Sequence, residues 1–245
     1  SKKKFLKLIN SAFLNGADMV KIQTYEPIDI TLKVKNNKFK IKKGIWKNKY
    51  LWDLYSKACT PFSWHEEAFK IAKKYKKILF SSPFSIRGVD LLEKLNVKIY
   101  KIASFEITDL KLVRYIASKK KPIIISTGMA SKNEIKTAIK EIKKIHNKVI
   151  IMHCVSAYPT KLENMNLNNI KKLKSYFKNN LIGLSDHTND IISSLVSIPM
   201  KIVAIEKHYK LSSNSKSLDS TFSITPGKLK KLRIDSEKVY KSLNS

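Results

Sequence analysis

Pro122-Ile-Ile-Ile-Ser-Thr-Gly-Met-Ala130 is an apolar run that breaks off in Ser, Thr and Gly, and Val149-Ile-Ile-Met-His-Cys154 repeats the same design. Between them, Ser131–His146 carries its apolar residues at helical spacing among Lys, Glu and Asn. A short run rich in Ile and Val, without alternation, suits a strand buried on both faces, and parallel sheets covered by helices contain such strands. Strand, helix, strand is therefore the unit from which this fold is built.

The same unit recurs on both sides. Upstream lie Met19–Thr24, Ile78–Ser82 and Val97–Ala103; downstream lie Leu181–Ser185 and Ile202–Lys207, with a helical pattern over Asn166–Lys178. The chain opens on another helical pattern, Lys3–Asn15. The expected fold class is α/β, a (β/α)8 TIM barrel. Seven strands are visible where eight close a barrel, so the first strand is expected upstream of Ser1, in a segment missing from this chain. Residues 1–245 make one domain, a length close to the ~250 residues typical of such barrels. Glu26–Pro61 breaks the rhythm, being Lys-rich and then aromatic (Trp46, Tyr50, Trp52, Tyr55). It reads as an insertion at the barrel rim, where loops meet substrate.

The formal net charge is +30, a value that raises the question of nucleic acid. Nearly all of it is lysine, and Arg87, Arg114 and Arg233 are the only arginines. Base and phosphate readers rely on the planar fork of arginine, whereas these lysines are scattered over every helical segment. A solvated surface is the simpler account, and no nucleic-acid partner is expected. Cys59 and Cys154 make no disulfide framework, and no run approaches the ~20 apolar residues of a membrane span. A cytoplasmic setting without membrane contact is the resulting expectation.

Polar groups collect where the strands end: Lys21 and Gln23, Ser81 and Ser82, Lys101 with Ser104 and Glu106, Ser126 and Thr127, His153 and Tyr158, Asp186 and His187, Glu206 and His208. In a barrel those ends face one mouth. A single Ser or Lys there is ordinary turn chemistry, and a single His is commonly a packing residue. A lysine within a strand is costly to bury without an anion, so Lys21 and Lys101 call for one, and the nearby hydroxyls suit phosphate. His187 and His208, on neighbouring strand ends, are candidate ligands of a divalent ion. Glu106 is either an acid/base group or the cap of the helix that follows.

Several stretches carry a resemblance. Gly16-Ala-Asp-Met-Val-Lys-Ile-Gln-Thr24, Ser82-Pro-Phe-Ser85, Tyr100–Glu106, Ser126-Thr-Gly-Met-Ala130, His153–Thr160, Ser185-Asp-His-Thr188 and Glu206-Lys-His208 resemble, in order and spacing, the sialic acid synthase family. Ala103-Ser-Phe-Glu106, Thr60-Pro-Phe-Ser-Trp-His65 and Leu218-Asp-Ser-Thr-Phe-Ser223 resemble its pseudaminic acid branch.

The resemblance implies condensation of phosphoenolpyruvate with an N-acetylated amino sugar, in that branch 2,4-diacetamido-2,4,6-trideoxy-L-altrose. N-acetylneuraminate and legionaminate synthesis are the sibling alternatives. It implies that Lys21, Ser82, Lys101, Ser104 and Ser126 hold phosphoenolpyruvate, that Tyr158 and Asp219 contact the sugar, and that Glu106 is the acid/base residue. It also implies that His187 and His208 bind a divalent metal, Mn²⁺ first and Mg²⁺ or Co²⁺ next. The resemblance further implies a C-terminal antifreeze-like domain and, at full length, a homodimer. This chain stops about where that domain would start, so an inactive barrel fragment stands as a further alternative.

Overall fold

The computed structural model describes residues 1–244. Seven strands among them form one parallel sheet in strict chain order: β1 (Met19–Thr24), β2 (Ile78–Pro83), β3 (Tyr100–Ile102), β4 (Ile123–Ser126), β5 (Val149–Cys154), β6 (Leu181–Asp186) and β7 (Ile205–Lys207). Each expected strand is present. The third and seventh are shorter than their apolar runs.

Nine α-helices accompany them among the described residues: α1 (Lys2–Leu14), α2 (Leu51–Ala58), α3 (His65–Lys74), α4 (Ile86–Lys94), α5 (Leu110–Ser118), α6 (Lys132–Lys143), α7 (Asn169–Tyr176), α8 (Ile192–Ser197) and α9 (Pro226–Leu243). None is long and apolar enough to cross a membrane.

The α6 unit shows why these residues fold this way. Ser131 and Glu134 close a capping box that satisfies two N-terminal N–H groups. Ile135, Ala138, Ile139 and Ile142 then fall on one buried face. That face joins a core containing Val113 and Ile116 of α5 and Ile123, Ile125 and Ile151 of the sheet. Burial of each such Ile contributes roughly 1.5–3 kcal/mol.

Helix exits before strands share another device. Lys76, Asn96 and Lys120 take left-handed φ of 52°, 55° and 56° just after α3, α4 and α5. The next N–H closes back over the helix end, from Lys77 to Ala72 O and from Val97 to Leu92 O, each at 3.0 Å.

The sheet curls. Its edge strands β1 and β7 share no backbone pairing among the described residues, yet Lys21 of β1 reaches Glu206 of β7 at 2.7 Å. The C-terminal strand ends thus surround one mouth. The insertion spans the rim between β1 and α3, fastened by Arg87 to Glu26 and Asp29 at 2.8 and 2.9 Å.

Candidate active site

Lysines from two strands meet one carboxylate inside the curl. Lys101 is 2% exposed, points inward, donates to Ser126 Oγ at 2.6 Å and lies 3.5 Å from Glu206 Oε2. Lys21 donates to Glu206 Oε1 at 2.7 Å, and Ser185 Oγ to the same oxygen at 3.2 Å. Burial alone would raise the Glu206 carboxyl; the ammonium groups of Lys101 and Lys21 outweigh it and hold it well below the usual range. Burial pushes the Lys101 ammonium down, and Glu206 opposes this. The anion that the two strand lysines require is therefore supplied from within the protein. One carboxylate thus faces two lysine side chains at the mouth.

The hydroxyls sit around this cluster. Ser82 Oγ donates to Lys101 O at 3.3 Å. On a regular strand Lys101 and Ser104 would face opposite sides. β3 stops at Ile102 and the chain turns, so both reach the mouth. Ser104 Oγ accepts from Gly128 N–H at 3.2 Å and donates to Cys154 Sγ at 3.7 Å. A side chain at Gly128 would collide with Ser156 Oγ and meet Ser104 Oγ and Cys154 Sγ at 3.1 Å, so a larger residue there would have to displace these groups.

Glu106 starts a short turn after β3. Its Oε2 is shielded from solvent and has no hydrogen-bond partner among the described residues. Burial pushes its carboxyl up to about 7, against the pull of Lys101. The capping alternative fails: Asp109 caps α5, accepting from Leu112 N–H at 3.0 Å.

The two imidazoles converge, with ring centroids 5.2 Å apart. His187 Nδ1 donates to Val155 O at 2.8 Å, which leaves Nε2 its lone pair. His208 Nδ1 faces Asp219 Oδ2 at 3.6 Å. A histidine tied through one nitrogen to a carbonyl is oriented to bind metal with the other, as His187 is, and with the His208 ring beside it the pair fits a divalent ion. No group of three or more His, Cys, Asp or Glu side chains among the described residues could enclose one. An ion held by the pair would keep positions open. His153, also at a strand end, donates Nε2–H to Met165 O at 2.7 Å and takes no part.

Aromatic rings wall this side. Tyr158 lies 4.5 Å from His187 and Phe222 4.8 Å from His208, centroid to centroid. Beneath the wall, Lys207 is 3.1 Å from Asp186 Oδ1 and donates to Thr188 O and Asp190 O at 2.7 and 2.9 Å. That buried pair fixes the loop carrying His187.

Two residues escaped the sequence reading of the site. Glu206 was legible as a strand-end carboxylate but not as the partner of both lysines. Lys207 was legible only as a lysine in a strand, the signal that singled out Lys21.

A profile of the NeuB family matches residues 8–245. The pseudaminic acid synthase of Helicobacter pylori is 43% identical over 211 residues, covering 86% of this chain and 62% of that protein. An N,N'-diacetyllegionaminic acid synthase of Campylobacter jejuni is 35% identical over 241 residues, covering 97% of this chain and 72% of that protein. Among solved structures, the N-acetylneuraminic acid synthetase of Leptospira borgpetersenii superposes with a TM-score of 0.88 at 29% identity, covering all of this chain and 80% of that one. This chain thus spans under two thirds of the length of the pseudaminic acid synthase that it matches.

Proposed function

The chain belongs to the NeuB family, and on that premise we propose that it is the catalytic barrel of a pseudaminic acid synthase. The observation that carries the reading is the convergence at one mouth of two lysines, paired hydroxyls, a carboxyl with one oxygen unpartnered among the described residues, and two imidazoles. The higher identity to the pseudaminic acid synthase supports the branch.

Lys21 and Lys101, with Ser82, Ser104 and Ser126, hold phosphoenolpyruvate. Tyr158 and Asp219 hold the open-chain sugar, 2,4-diacetamido-2,4,6-trideoxy-L-altrose. A divalent metal, Mn²⁺ first, would be held by His187 and His208 and would supply Lewis-acid polarisation of the sugar aldehyde.

C3 of phosphoenolpyruvate bonds to the aldehyde carbon, leaving positive charge at C2 and an alkoxide on the sugar. Water adds at C2, and Glu106 takes its proton and passes it to the alkoxide. The bond from C2 to the bridging oxygen then breaks, the C2 hydroxyl gives its proton to the departing phosphate, and the ketone forms. A carboxyl with a pKa near 7 suits this two-way transfer at neutral pH.

The closed eight-stranded barrel is part of the proposal. The edges of β1 and β7, unpaired among the described residues and bridged there by the side chains of Lys21 and Glu206, support a first strand between them. The homodimer and the C-terminal antifreeze-like domain belong to the whole protein and are proposed on the family alone. All three arginines engage carboxylates, which supports a solvated basic surface without nucleic acid.

Full-length enzyme with Mn²⁺, phosphoenolpyruvate and the trideoxy sugar should release phosphate. Glu106→Gln should lower kcat at least a hundredfold, within the ~10²–10⁴ range of acid/base catalysis, while phosphoenolpyruvate binding changes little. N-acetylmannosamine as the better substrate would move the protein to the sialic branch. No phosphate from any amino sugar would end the reading.

A further inference from the structure

The rim insertion folds back on itself near its tip. Lys40 and Tyr50 form an antiparallel bridge, Ile41 and Asn48 N–H groups donate to Lys49 O and Ile41 O at 2.9 and 2.8 Å, and Gly44 turns the chain at φ +83°. Beside that turn stands Trp46, half-buried. Its ring lies 6.2 Å from the Tyr158 ring, tilted by 37°. Its Nε1–H donates to Leu218 O at 3.3 Å, one residue before Asp219. The indole thus joins the insertion to both loops that carry the candidate sugar contacts, and it extends the row of rings from Phe222 and His187 through Tyr158.

Two features fix what this indole offers a ligand. Its one polar atom is already engaged, so the part left open is an apolar face, which suits methyl and C–H groups and gives a hydroxyl no partner. Its place also matters: Trp46 stands beyond Tyr158, two ring-to-ring steps from His187. With the aldehyde carbon at the histidines, Trp46 meets the far end of an open-chain sugar.

We propose that Trp46 is a specificity-determining residue that packs on the C6 methyl group of a 6-deoxy sugar and disfavours a hydroxyl there. The inference rests on the synthase reading above and adds to it the residue that selects the deoxygenated end.

The test is steady-state kinetics of the full-length enzyme and its Trp46→Ala and Trp46→Phe variants, on the diacetamido sugar in its 6-deoxy and 6-hydroxy forms. Trp46→Ala should raise KM for the 6-deoxy sugar about tenfold, ~1.4 kcal/mol, and reduce the preference over the 6-hydroxy form by a similar factor. KM for phosphoenolpyruvate should stay within about twofold, a change worth under ~0.5 kcal/mol. Trp46→Phe should keep most of the preference. Should the Ala variant not fold, Trp46→Gln, which retains a donor for Leu218 O but no ring, carries the same comparison. Equal losses on both sugars, or a parallel rise in KM for phosphoenolpyruvate, would reduce Trp46 to a loop anchor and overturn the proposal. A wild-type enzyme that turns over neither sugar would instead remove the pseudaminic acid reading, and this inference with it.

Discussion

Lys101 and Glu106 stand five positions apart at one strand end and are set in opposite states by their surroundings. Lys101 is enclosed but answered by Glu206 and Ser126. Lys101→Met should raise KM for phosphoenolpyruvate at least tenfold without loss of fold, because Glu206 keeps Lys21 as its partner; equilibrium unfolding alongside kinetics checks both halves. Glu106 is half-buried, the pull of Lys101 does not offset its burial, and its carboxyl is raised to about 7. A raised carboxyl binds its proton more tightly in the folded than in the unfolded chain. Its contribution to stability is therefore present at acid pH and is lost as pH rises from about 4.5 through about 7, by roughly 3 kcal/mol in all. Glu106→Gln should lack that loss, so its gain in stability over the wild type should grow between pH 5 and pH 8 in urea titrations. A constant difference would contradict the burial of the charge. The lysines were legible in the sequence because charge inside an apolar strand is conspicuous. Glu206 was not, because its role depends on the curl that brings Lys21 to it across 185 positions of chain.

At the scale of elements, the loops after β6 and at the helix exits carry the energetics that can be tested. Lys207 and Asp186 face each other in register on β7 and β6, almost wholly enclosed. Lys207→Met leaves the Asp186 charge without its cation and should cost about 3–5 kcal/mol. Adding Asp186→Asn should recover much of that loss, and a double-mutant cycle measures the coupling. The helix exits act in the other sense. Lys76 holds a left-handed backbone that costs a non-glycine residue about 1–2 kcal/mol. Lys76→Gly should be stabilising by ~0.5–1 kcal/mol, once the greater freedom of glycine in the unfolded chain is counted. A fall in Tm would show that Lys76 makes a contact outweighing its strain. Strand and helix positions were legible because each apolar run is continuous and each helix face periodic, as at Ile135–Ile142. The insertion had no such period. Its fold depends on distant anchors, Arg87 on Asp29 and Trp46 on Leu218, so only its place at the rim was readable.

Over the whole molecule, seven strands in chain order curl until their edges communicate through Lys21 and Glu206, and that closure assembles the mouth. The order of the strands follows from the alternation in the sequence; the curl follows from the right-handed twist that parallel strands share. The proposed reaction breaks the carbon–oxygen bond of phosphoenolpyruvate while joining its C3 to a sugar aldehyde. The most direct measurement follows phosphoenolpyruvate labelled with ¹⁸O in the bridging position through turnover by the full-length enzyme with Mn²⁺ and the trideoxy sugar. The label should appear in the released phosphate, with unlabelled oxygen from water at C2 of the sugar acid. Label retained in the organic product, or no phosphate released, would contradict that reaction.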